Sequence, residues 1–75
     1  MGVSDVLRKF LKDNYMTQRE FRLKNNLKLS KSGLNNAVKS VDYQPRPETL
    51  KELAAAMGMT TDELIRQAEW FDENR

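Results

Sequence analysis

Lys31, Ser32, Asn35 and Asn36 place an ammonium, a hydroxyl and two carboxamides within six residues. Their chemistry is directional hydrogen bonding. Lysine donates to guanine, and asparagine pairs bidentately with adenine. A short helix with small polar side chains on its outer face also fits a DNA major groove about 12 Å wide. Chemistry that breaks bonds is poorly supplied. Histidine and cysteine are absent, which removes the commonest general base at neutral pH and the commonest thiol nucleophile. No glycine-rich phosphate cradle and no paired carboxylates are evident. The expectation is a binding protein and no enzyme, with no cofactor, metal or small-molecule substrate.

The elements that must carry these residues are helices. Ser4 reads as the N-cap of a first helix from about Asp5 to Asp13, with Val3, Leu7, Phe10 and Leu11 on one face. Asn14 and Tyr15 break the pattern. Thr17 and Glu20 then form a capping box that starts a second helix at Gln18, with Met16 able to staple onto Phe21. It runs to about Lys24 or Asn25. Asn25 and Asn26 suit a turn, because Asn tolerates the left-handed region. Leu27 and Leu29 are expected to point inward from that connection.

Ser30 caps a third helix from about Lys31 to Lys39, whose apolar seam is narrow: Leu34, Ala37 and Val38. Residues 41–46 read as a loop. Pro47 suits the first position of a fourth helix, which carries Leu50, Leu53, Ala54 and Met57 and stops before Gly58. A second capping box, Thr60 with Glu63, opens a fifth helix from Thr61 to about Asp72, with Leu64, Ile65, Ala68 and Phe71 on one face. No strand-like alternation is present, so the fold class is all-α with five helices.

A chain of 75 residues is one domain of modest core. Hydrophobic residues make up 39% and charged residues 32%, an ordinary globular balance. No apolar run reaches the roughly 20 residues of a membrane span, and Arg8, Lys9 and Lys12 interrupt any signal-peptide core. A chain without cysteine suits a reducing cytoplasm. The net charge of +2 hides an asymmetry. Residues 17–46 hold seven cations against two carboxylates, and residues 47–75 hold three cations against seven carboxylates. One basic side suggests a polyanion partner.

The order of these pieces resembles the Cro/CI family of phage repressors and xenobiotic-response-type regulators. Met16-Thr17-Gln18-Arg19-Glu20-Phe21, Leu29-Ser30-Lys31-Ser32-Gly33-Leu34, Arg46-Pro47-Glu48-Thr49-Leu50 and the run Leu53 to Leu64 carry the resemblance, over about residues 4–66. They are similar to the family pattern T-Q-x-x-L, V-S-x-x-x-I, a Pro-rich helix entry, and L-A-x-x-L-G-V-x-x-x-x-L. The runs 28–32 and 38–41 further resemble repressors of lactococcal temperate phages.

The resemblance implies a lambda-repressor-like helix-turn-helix at about residues 17–39 and a sequence-specific transcription regulator bound to double-stranded operator DNA. It implies base reading by Lys31, Ser32, Asn35 and Asn36. It implies phosphate contacts at Gln18, Lys28, Ser30, Lys39, Tyr43, Gln44 and Arg46. A second copy of the chain is the expected protein partner, joined through Trp70 and Phe71 on the fifth helix or through a further domain. A dimer of this kind reads half-sites about 34 Å apart.

Three departures stand out. Arg22 replaces a small residue at the helix-helix contact, the turn is about two residues longer, and Ser40 stands where a glycine commonly ends the third helix. These leave room for a different use of the fold, as an antirepressor or antitoxin-like module that binds protein. Gln18 reads nearly as well as an ordinary first-turn residue, and a solvated face is the lesser alternative for Lys31, Asn35 and Asn36. Gly33 admits either close DNA approach or close packing of the second helix on the third. Trp70 lies off the apolar face, either exposed or folded back across the first helix.

Overall fold

The computed structural model describes residues 2–74 and contains five helices, with no strand among those residues. They are α1 (Val3–Asp13), α2 (Gln18–Lys24), α3 (Lys31–Lys39), α4 (Pro47–Ala56) and α5 (Thr61–Glu73). No helix of the described residues is long and apolar enough to cross a membrane.

α1 is the centre of the packing, lying against both α3 and α5, while α4 lies on α5 and α2 on α3. Its buried stripe is Val3, Val6, Leu7 and Leu11. Phe21, Leu34, Leu53 and Leu64 bring one fully buried side chain each from the other helices. Burial of such a side chain contributes on the order of 1.5–3 kcal/mol. The other buried apolar residues are contiguous with these in one core.

Three helices end in the same way. The residue after the cap turns left-handed, and the next two N–H groups bond back to the helix carbonyls in a Schellman arrangement. At α1 the left-handed residue is Tyr15 (φ 50), with Met16 N–H on the Leu11 carbonyl. At α2 it is Asn26 (φ 48), with Leu27 N–H on Arg22. At α4 it is Gly58 (φ 72), with Met59 N–H on Ala54. Asn and Gly are the residue types that accept this conformation readily; Tyr is not.

The start of α1 departs from expectation. The helix begins at Val3 with Gly2 in the cap position, and Ser4 is a buried residue inside the first turn rather than its cap. Packing is the cause. A Cβ at position 2 would stand 2.5 Å from the Ala68 carbonyl oxygen and 2.7 Å from the Phe71 Cβ, so α1 begins pressed against α5. Tertiary contact thereby extends the helix past its best capping residue. The Ser4 hydroxyl is left without a hydrogen-bond partner among the described residues.

Candidate nucleic-acid interface

α2 is short and holds its place through one anchor. Its buried residue is Phe21, whose ring meets that of Phe10 on α1 edge-on at 5.7 Å. The capping box is formed on both sides. Thr17 Oγ1 accepts from Glu20 N–H at 3.1 Å, and Thr17 N–H donates to Glu20 Oε1 at 3.2 Å. Glu20 is therefore occupied at the start of its own helix.

The connection from α2 to α3 is residues 25–30, longer than the usual helix-turn-helix turn of three or four residues. It is not slack. Asn25 Nδ2 donates to the Phe21 carbonyl at 2.9 Å, and Leu27 is buried. The Lys28 backbone N–H donates to Glu52 Oε1 on α4 at 2.9 Å. Leu29 is half-buried against the core. The longer turn is thus pinned at both ends and to a third helix.

α3 is fixed at both ends. Ser30 Oγ accepts from Gly33 N–H at 3.0 Å at its start. At its end the Arg8 guanidinium, from α1, donates from Nη1 to the Val38 carbonyl at 2.9 Å while Nη2 pairs with Asp5. Val38 belongs to the last turn, where carbonyls have no partner within the helix. Leu34, Ala37 and Val38 are buried, which turns the polar residues outward. A Cβ at Gly33 would meet only Ser30 Oγ (3.2 Å) and Leu29 Cδ2 (3.5 Å). Neither is on α2, so close packing of α2 on α3 is not what this glycine serves.

Between the two helices lies an open groove of about 690 Å³, lined by Gln18, Arg19, Arg22, Lys31, Ser32, Leu34 and Asn35. It brings together four residues singled out from the sequence, Gln18, Lys31, Ser32 and Asn35. No carboxylate lines it. Arg19, Arg22 and Lys31 have no ion-pair partner among the described residues. Arg19 and Arg22 were not assigned to a site from the sequence. Both count among the seven cations of residues 17–46, and Arg22 also stands out as a residue too large for its position.

The other expected contact residues lie elsewhere. Asn36 and Lys39 are exposed on α3 but do not line the groove. Gln44 and Arg46 are exposed in the loop before α4. Tyr43 is half-buried against the core, and desolvation holds its phenol above its ordinary pKa. Lys28 lies in a second recess of about 430 Å³ with Leu29, Glu48, Thr49 and Glu52. Those two carboxylates offset its charge toward any phosphate. Trp70 is 57% exposed and meets Phe71 edge-on at 5.2 Å, so it is not folded back across α1. No group of three or more potential metal ligands occurs among the described residues.

No known family pattern matches the chain, and neither a characterised protein nor a solved structure shows significant similarity to it.

Proposed function

We propose that this protein is a sequence-specific DNA-binding regulator of lambda-repressor-like, helix-turn-helix type, with α3 lying in the major groove and α2 across the phosphate backbone. The observation that carries this reading is the α2–α3 groove. It gathers three unpaired cations with the hydrogen-bonding side chains of Gln18, Ser32 and Asn35, and has no carboxylate in its lining. A surface of that composition attracts a polyanion and can hydrogen-bond to it. The narrow apolar seam of α3 leaves Asn35 and Asn36 outward, where carboxamides can meet adenine. Ser30, Lys39, Tyr43, Gln44 and Arg46 flank the two ends of α3 as backbone contacts.

The test is an NMR titration with duplex DNA from the protein's own upstream region and with a scrambled duplex, at two salt concentrations. Salt-sensitive shifts at Gln18, residues 30–36 and residues 39–46, larger for the native duplex, are expected. Absence of shifts with either duplex at low salt rejects the reading.

A further inference from the structure

We infer that the groove between α2 and α3 seats a single phosphate group, with Arg22 as its central ligand and Arg19 and Lys31 beside it. The inference rests on the DNA-binding reading for its source of phosphate, a backbone phosphate of the duplex. It redistributes the work within that reading: Lys31 goes to the backbone, and Asn35 and Asn36 are left as the base readers.

Three observations carry it. Gln18 and Arg22 are one turn apart on α2, as Lys31 and Asn35 are on α3, so the two pairs line facing sides of one groove. The three cations have no ion-pair partner among the described residues, so their charge is available to an anion from outside. Arg22 is half-buried while Arg19 and Lys31 are exposed. A partly buried side chain loses less freedom on binding than an exposed one, and the planar guanidinium fork matches two phosphate oxygens. Base edges are the poorer ligand for this residue, because Arg22 stands on α2 and not on the helix that would enter the groove of the duplex.

The experiment is the salt dependence of duplex binding, followed by fluorescence anisotropy for the full chain, Arg22→Gln, Arg22→Lys and Arg19→Gln. Each phosphate contact contributes about 0.9 to the slope of log K against log salt. The one phosphate accounts for about 0.9 of the slope in all, so Arg22→Gln is expected to flatten it by up to about 0.9 and to weaken all duplexes alike, while Arg22→Lys keeps the slope. Arg19→Gln, on an exposed residue, tests the same site if Arg22→Gln does not fold; it should flatten the slope by less than Arg22→Gln, and the two losses together should not exceed about 0.9. An unchanged slope in a folded Arg22→Gln, or in Arg19→Gln where Arg22→Gln does not fold, overturns the proposal. So does an unchanged slope in Arg22→Gln with relaxed sequence preference, which would make Arg22 a base reader.

A second arm separates this proposal from the DNA-binding reading. If the native protein binds no duplex, inorganic phosphate is titrated by NMR. Shifts at Gln18, Arg22 and Lys31 that disappear in Arg22→Gln would keep the phosphate site and assign it to a free anion. No shifts would overturn it.

Discussion

Arg8 holds the far end of α3 from a different element, and its removal can be costed. The side chain reaches from α1 to the Val38 carbonyl, thirty residues away, at 2.9 Å in a partly buried setting. Its second nitrogen pairs with Asp5 one turn earlier. A hydrogen bond from a charged donor contributes about 1.5–3 kcal/mol when protected. The Arg8 side chain is 41% exposed, so solvent screening places this bond at about 1–2 kcal/mol. The Asp5 pair, within one helix and at the surface, adds only about 0.3–0.5 kcal/mol.

A domain of 75 residues has a total stability of roughly 4–11 kcal/mol, so the loss is a sizeable fraction. Each kcal/mol corresponds to about 4–8 °C in a domain of this size. Arg8→Met, which keeps the stem, is therefore expected to lower Tm by at least about 4 °C in circular dichroism melts. Under the proposed function, DNA affinity should fall with an unchanged salt slope, because the Arg8 guanidinium is engaged by the Val38 carbonyl and Asp5. A Tm within about 1 °C of the native protein would refute the claim that this bond ties α1 to α3.

Other perturbations read other parts of the structure. Ser4→Ala removes a buried hydroxyl that has no partner and supplies a better helix former; we expect a gain of about 1 kcal/mol by urea denaturation, and a loss would mean the hydroxyl is bonded. Tyr15 is left-handed and 94% exposed. Tyr15→Gly should raise stability by about 1 kcal/mol in the same assay, and a neutral or destabilising result would show that the ring makes a contact that offsets its backbone strain. If α5 joins two copies of the chain, Trp70→Ala abolishes that self-association in sedimentation velocity with little change in Tm, since the ring is mostly outside the core; a variant that still sediments as the same dimer as the native protein would reject α5 as the dimer surface.

Much of the architecture was legible because helix ends are written in local chemistry. Thr17 with Glu20, Ser30, Pro47, and Thr60 with Glu63 each stand where a helix begins. These signals act over three or four residues and need nothing distant. The α3 face was equally readable, since Leu34, Ala37 and Val38 leave a single way for a short helix to turn. Contacts across elements were not legible. Glu52 is, in the sequence, one of seven carboxylates after residue 46, yet it pins the turn before α3. Arg8 served only to interrupt an apolar stretch, yet it ends α3.

The sequence by itself thus determined the helices, their order, the segregation of positive charge into residues 17–46 and the polar face of α3, because propensity, capping and periodicity are properties of neighbours along the chain. Only the tertiary structure decided that α1 starts at Val3 with Ser4 buried, that Trp70 is exposed, and that Arg19 and Arg22 join Lys31 around one groove. Those outcomes depend on which helix lies against which. That choice is made by the burial of a shared core, whose energy is non-directional and leaves no fixed spacing in the sequence.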